Sequence, residues 1–535
     1  MKSTLGVCAI LLGLSVTACT ADRPQAVAQV SSTASVAPTT MARVGTVDDR
    51  YQSYNIEMLE VTGGRFWKPY KDIPKTAGQT GSEAKSGGAP AGMSPDLYQY
   101  RPPIDLTNPR LRAMAGALGP AYVRISGTWA NTTYFADKDT PPKDPPQGYG
   151  GVLTRQQWLG AIAFSRAVDA PIVTSLPNSE GTRGAGQVWQ PDQARRWLAF
   201  TKDHGGTVAA AEYFNEPTLA SMGGAPKGYD AAAFGRDFQV FDAFMRKEYP
   251  ATKLLAPGSV GEANADWGVA SGGYGDLKVL AAAELAASTG DADAFSYHHY
   301  GAASQRCAAM GHQTSADQAL SDDWLGRTDQ TLAYYRGVRD KFMPGKPFWN
   351  TETADAACGG NPWGGTFLDA FRYLDQLGRL ARQEVTVVMH NTLVASDYGL
   401  LDEDTFEPKP NYWGALLWRR FMGTTVLDAG VKNGAGLHVY AQCLRGTPGG
   451  VALLAINTDK TASHTLTIPM EGLRYTLSSD RLDGQRVQLN GTALALGPAD
   501  ALPTFEGAAV TGNVTLAPTT ITFLTVPTAG NGVCR

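Results

Sequence analysis

Cysteine is scarce, and no CxxC pair or histidine–cysteine cluster occurs, so no structural zinc or other metal site is expected. Charge is also sparse. Only 18% of residues are charged, the formal net charge is -4, and no run of lysine or arginine stands out. Nothing in that balance suits a nucleic-acid or polyanion binder. No internal repeat is evident, which argues against a solenoid. The apolar run "LGVCAILLGLSV", residues 5–16, is shorter than the about 20 residues a spanning helix needs.

That run follows Lys2 and precedes "TAC", the layout of an export signal. "VTAC", residues 16–19, resembles the lipobox of bacterial lipoproteins, which would make Cys19 the lipidated first residue of the mature chain. The alternative is ordinary signal-peptidase cleavage nearby. Residues 1–19 are therefore expected to be a signal peptide. The Ala/Ser/Thr/Pro-rich residues 20–41 are expected to form a flexible tether. Export to a bacterial envelope or beyond permits disulfides, and four cysteines remain past the signal: Cys307, Cys358, Cys443 and Cys534. Three pairings are open. Cys307–Cys358 with Cys443–Cys534 keeps each bridge within one domain. Membrane contact is expected only through lipid on Cys19.

From about residue 51 to 418, short apolar runs alternate with helical patterns. The runs are "NIEMLEV" (from Asn55), "AYVRISG", "APIVTSLPNS", "TVAAAEYFNEP", "KLLAPGS", "AFSYHHY", "KPFWNTET" and "EVTVVMHNT". Stretches such as "YDAAAFGRDFQVFDAFMRKEY" and "TFLDAFRYLDQLGRLARQ" repeat apolar residues at three and four positions. Eight such units predict a (β/α)8 barrel with insertions. Beyond Arg420, short strands separated by turns, among them "AGLHVYAQCL", "GVALLAINTD" and "TTITFLTVP", predict a C-terminal antiparallel β-sandwich.

Chemistry in such barrels sits at the C-terminal strand ends. There the fourth run carries Asn215 and Glu216, and the seventh carries Glu352. Two carboxylates facing each other across the mouth are what glycoside hydrolysis requires, one as acid and one as nucleophile or base. The acid must be protonated when substrate arrives and the nucleophile ionised. Asn215 can bond a sugar hydroxyl, His298 and Tyr300 can orient the glutamates, and Arg124 can keep a carboxylate ionised. Each residue has a blander reading. "NEP" alone is a weak motif, Arg124 could simply pair with Glu212, and adjacent histidines more often serve structure than metal binding. The combination in this order is the specific feature.

"AEYFNEPT" and "FWNTETADAACGG" resemble the retaining glycosidases with acids on strands four and seven. Together with "YVRISGTWANTTYF", "YHHY" and "DYGLLDEDTFEPKPNYW", they resemble glycoside hydrolase family 79, the heparanases and microbial β-glucuronidases. The resemblance implies Glu216 as acid/base and Glu352 as nucleophile. It implies a glucuronate carboxylate held by the backbone of Gly359 and Gly360 and by Tyr398. Glu57, Thr128 and Asn215 would contact the sugar, with His298 and Tyr300 supporting. It adds residues 42–50 to the sandwich of 419–535, and implies no cofactor. Three positions depart from the pattern: Cys358 and Ser396 stand where glycines are expected, and Trp129 where heparanase has lysine.

The expected substrate is a glucuronic-acid-containing glycan or glucuronide. Absent basic runs and inserts at residues 75–101 and 136–150 favour an exo-β-glucuronidase. An endo-acting, heparanase-like enzyme on heparan sulfate and a retaining glycosidase for a neutral sugar are the alternatives.

Overall fold

The computed structural model describes residues 30–73, 95–261, 279–310 and 312–535. The expected signal segment with Cys19, and most of the first insert, lie outside them. Eight parallel strands close into a barrel in chain order: β1 Gln52–Glu57, β2 Val123–Ser126, β3 Ile172–Ser175, β4 Val208–Glu212, β5 Lys253–Ser259, β6 Ala294–Tyr300, β7 Phe348–Ala354 and β8 Val385–His390. Helices between them cover the outside, several started by side-chain caps. Asp230 accepts from Ala233 N at 2.9 Å, and Ser321 accepts from Trp324 N at 3.2 Å.

Inward-facing residues are sorted by height. Tyr122, Val173, Ala210, Leu255, Ala294, Trp349, Val387 and Met389 fill the lower barrel with an apolar plug. Two residues further along β2 and β4, the same inward face presents Arg124 and Glu212, both 1% exposed. Apolar residues below and polar ones above direct the chemistry to the C-terminal rim.

The first strand begins three residues earlier than the sequence suggests, and Met58–Thr62 is a short helix instead of strand. Glu57 and Glu60 form a capping box there, with Glu57 N donating to Glu60 Oε2 at 2.7 Å. In the sequence, both acids pass for the polar positions of an alternating strand.

Eight C-terminal strands and two from the N-terminal segment form one ten-stranded sheet, not two separate ones. The strand Ser463–Ser478 joins its halves, because residues 473–477 pair with Thr520–Val526 while residues 464–474 pair with Ala508–Leu516. The pairing breaks register between Ile468 and Gly472, and the sheet folds over a core that includes Val439, Leu453, Leu466, Ile468, Val514 and Leu524. Arg43–Thr46 adds to this sheet beside Met422–Leu427. The tether expected to run to residue 41 ends earlier. Val30–Ser35 is a strand, parallel to Ser463–Ser478, and Val36 and Met41 enter the core. A polar edge strand gains its order from neighbouring backbone, so its composition reads as linker. Cys443–Cys534 closes the sheet's end, and Cys307–Cys358 joins the loops after β6 and β7.

Barrel and sheet meet across a buried polar group. Asp375, on helix Phe367–Arg382, accepts from His438 Nδ1 and Tyr440 OH, each at 2.6 Å, and from Arg379 Nε at 2.5 Å. His438 Nε2 reaches Asp322 at 3.0 Å. Burial pulls the His438 pKa down, but the two aspartates more than offset this and hold it above its ordinary value. A raised pKa means that His438 stabilises the fold fully below its unfolded value, about pH 6.5, and that this contribution is lost as pH rises through the folded value. The expected result is a Tm that falls on the alkaline side in wild type. The fall should be visibly shallower in His438→Asn, whose amide replaces the Nδ1 donor without titrating. Parallel Tm–pH curves would remove His438 from this role.

Candidate active site

β4 ends at Glu212, so Tyr213 to Glu216 lie in the loop above it rather than in the strand. Asn131 holds that loop: its Nδ2 donates to Asn215 O at 2.9 Å, and its Oδ1 accepts from Asn215 N at 2.8 Å. Glu216 has a left-handed backbone, φ 50° and ψ 60°. That conformation costs a glutamate about 1–2 kcal/mol. Its side chain, 13% exposed, turns over the mouth.

Two residues per pleat place His298 and Tyr300 of β6 inward and His299 outward. His299 contacts Thr331 at 2.8 Å on helix Asp322–Phe342, and burial pushes its pKa down to about 3. His298 is central. Its Nε2 lies 3.2 Å from Arg124 Nη2, and its Nδ1 lies 3.0 Å from Glu216 Oε1. Tyr300 OH donates to Glu352 Oε1 at 2.5 Å, and Arg124 Nη1 donates to Glu352 Oε2 at 2.7 Å.

These contacts separate the two acids. Burial raises the Glu216 pKa, and the charge of Glu352 raises it further, against a lowering by the His298 hydrogen bond. Burial alone would raise Glu352 as well, but His298, Arg124 and the Tyr300 hydrogen bond outweigh it and hold its pKa below the usual range. One carboxyl therefore tends to stay protonated and its neighbour ionised. Oxygen atoms of Glu216 and Glu352 and a His298 ring nitrogen all lie within 4.8 Å of one another. Among the described residues this is the group that could ligate a cation. The Arg124 guanidinium already occupies that electrostatic role.

Around the pair lie the other expected residues. Glu57 ends β1, and burial, followed by the charges of Glu352 and Glu60, pushes its pKa well up. Its Oε1 accepts from Asn391 Nδ2 at 3.2 Å, and its Oε2 has no partner among the described residues. Gly127 makes room for it: with φ 97°, a Cβ there would fall 1.6 Å from Glu57 Oε2. Thr128 follows Gly127 at the start of a short turn and is half-buried. Asn215 Oδ1 accepts from Arg124 Nη2 at 2.7 Å, which leaves its NH2 as the group available to a ligand. Asn391 directly follows β8 and carries no motif in the sequence. Its amide lies 3.0 Å from Tyr300 OH and 3.1 Å from Tyr398 OH, so it joins the two tyrosines to Glu57.

Cys358, Gly359 and Gly360 are consecutive left-handed residues, with φ 65°, 79° and 87°. Neither glycine N–H meets a protein acceptor among the described residues. A Cβ on Gly360 would sit 3.0 Å from the Tyr398 ring, and one on Gly359 would meet Arg306 at 2.4 Å and Trp67 at 2.7 Å. The glycines thus permit close packing as well as free N–H groups. Arg306, unmarked in the sequence, is paired with Asp397 and lies over the Tyr70 ring at 4.0 Å. Trp129, one of the departures, packs on Phe66 and Tyr98.

No protein-family model matches the chain. It is 28% identical over 392 residues to "Heparanase-like protein 1" of Arabidopsis thaliana, covering 70% of this chain and 69% of that one. It is 25% identical over 474 residues to "Hyaluronoglucuronidase" of Hirudo nipponia, covering 81% and 92%. A solved 4-O-alpha-L-rhamnosyl-beta-D-glucuronidase from Fusarium oxysporum 12S superposes with a TM-score of 0.58 at 14% identity, over 92% of this chain and all of that one, and so shares the fold. The chain is a homologue of proteins named heparanase, hyaluronoglucuronidase and β-glucuronidase, and is a glycoside hydrolase by that relationship.

Proposed function

We propose that this glycoside hydrolase homologue is a retaining exo-β-glucuronidase. The observation that carries the reading is the spacing and asymmetry of Glu216 and Glu352. One carboxylate oxygen of Glu216 and one of Glu352 lie within 4.8 Å of each other, which suits the about 5–5.5 Å carboxyl separation of double displacement better than the about 6.5–9.5 Å that leaves room for an attacking water. In this reading Glu352, ionised beside Arg124, attacks the anomeric carbon while Glu216 protonates the departing oxygen. Water activated by Glu216 then releases the sugar with its β configuration retained.

The free N–H groups of Gly359 and Gly360, with Tyr398 beside them, suit a glucuronate carboxylate. Glu57, Thr128 and the Asn215 amide are the groups for its hydroxyls. Exo action is favoured by how four of the described cations in the loops above the barrel are spent. Arg306 pairs with Asp397, Arg101 with Glu403 and Asp404, and Lys71 with Asp404. Lys409 is buried, donating to the carbonyls of Ser396 and Asp397. An open cleft for a polyanion would present unpaired cations.

The test offers the purified protein a chromogenic β-glucuronide and size-defined heparan sulfate. Chromophore release with chains left at full length is the expected result. Shortened chains would establish endo action. Activity on a neutral glycoside alone would keep the glutamate pair and discard the carboxylate site.

A further inference from the structure

A third carboxylate lies beneath the pair. Glu212 is 1% exposed, and removing such an acid from water is costly unless its charge is met. Its Oε2 accepts from Arg124 Nε at 3.1 Å and Nη2 at 2.9 Å, and its Oε1 accepts from Thr351 Oγ1 at 2.8 Å. This two-nitrogen grip on one edge of the guanidinium leaves Nη1 for Glu352. Gly258 of β5 keeps space beside the carboxylate, since a Cβ there would lie 3.3 Å from Oε1. Arg124 from β2 and His298 from β6 are the charged and titratable groups that act on Glu212, and Glu352 from β7 meets the same guanidinium.

We infer that Glu212 is a positioning residue for catalysis: it aims Arg124 at Glu352 and cancels the charge that Arg124 would otherwise impose on both catalytic glutamates. The inference rests on the assignment of Glu216 and Glu352 above. Charge count sets the effect. Arg124 alone would stabilise every nearby carboxylate in its ionised form. Glu352 would then become a weaker base and poorer nucleophile, and Glu216 would lose the proton it must donate. With Glu212 ionised at the same guanidinium, the unit below the pair is close to neutral. Burial works against that ionisation, but Arg124, His298 and the Thr351 hydrogen bond overcome it and hold the Glu212 pKa below the usual range.

The test is the pH dependence of kcat/KM on a chromogenic glucuronide for wild type, Glu352→Gln and Glu212→Gln, with Tm recorded for each. In Glu212→Gln both limbs of the bell should move to lower pH, by about one unit for loss of one adjacent charge. kcat should fall about 10- to 100-fold with KM changed less than about threefold. Glu212→Asp keeps the charge and should leave the limbs in place. A folded Glu212→Gln protein with unmoved limbs overturns the inference while leaving the glutamate pair intact. Near-normal activity of Glu352→Gln would instead overturn the pair itself. Should Glu212→Gln fail to fold, Thr351→Val decides, since it keeps size and charge but frees the Glu212 carboxylate to turn. A fivefold or greater loss in kcat at constant KM is expected there, roughly the effect of one lost hydrogen bond to a charged group, and no loss overturns the inference.

Discussion

Glu352→Gln loses about 10⁵-fold or more of kcat on an aryl β-glucuronide and keeps its fold. The amide matches the carboxylate in size and can still meet Tyr300 and Arg124, so binding and packing survive. What goes is the charge that forms the bond to the anomeric carbon, and without it the first displacement has no nucleophile. Losses of this order follow removal of a nucleophile from an otherwise complete site, where the remaining groups still bind and polarise the substrate. The measurement is kcat on purified protein with a Tm and a circular dichroism spectrum beside it. Activity within tenfold of wild type would exclude Glu352 as the nucleophile. Because Arg124 stays clamped by Glu212 in this variant, the buried cation is not left unpaired, and a collapse in stability is not expected.

Glu216→Gln should discriminate between leaving groups. An aglycone whose conjugate acid is strong departs without a proton, whereas an alcohol or sugar needs one from Glu216. General acid catalysis contributes about 10²–10⁴-fold, so the variant should lose that factor on poor leaving groups and much less on good ones at the first step. A plot of log kcat/KM against leaving-group pKa is expected to steepen relative to wild type. Equal losses across the series would take the acid role from Glu216. The smaller, uncharged Glu216→Ala variant adds a second reading: azide admitted at the vacated position attacks the glycosyl-enzyme from the β face and yields a β-glucuronosyl azide. An α product would contradict a covalent intermediate on Glu352.

The eight strands were legible because each is a short apolar run between helical patterns, and inward polarity at their ends marked Arg124, Glu216, His298, Tyr300 and Glu352. Boundaries failed where local chemistry overrode the pattern. The Glu57–Glu60 capping box ended β1 early, and the loop of Asn215 and Glu216 was read as strand because Tyr213 and Phe214 fit one. The polar strand Val30–Ser35 was hidden by its composition, and the single bent sheet could not be told from a sandwich, since both have the same strands in the same order. Asn131, Asn391 and Arg306 carry no motif. Their roles arise only from partners 84, 334 and 91 positions away in the chain.

The sequence by itself determined the kinds of groups available: two glutamates at strand ends, a glycine pair able to adopt left-handed backbone, and an alternation of units that closes a barrel. Those follow from local rules, period and residue type. Only the tertiary structure decided which groups touch. It set Arg124 between Glu212 and Glu352 and gave His298 to Glu216. The depth of burial then split two identical side chains into one that tends to hold a proton and one that tends to lose it. The physical reason is that charge coupling and desolvation depend on distances of a few ångströms between strands far apart in sequence, and no residue's own identity carries that distance.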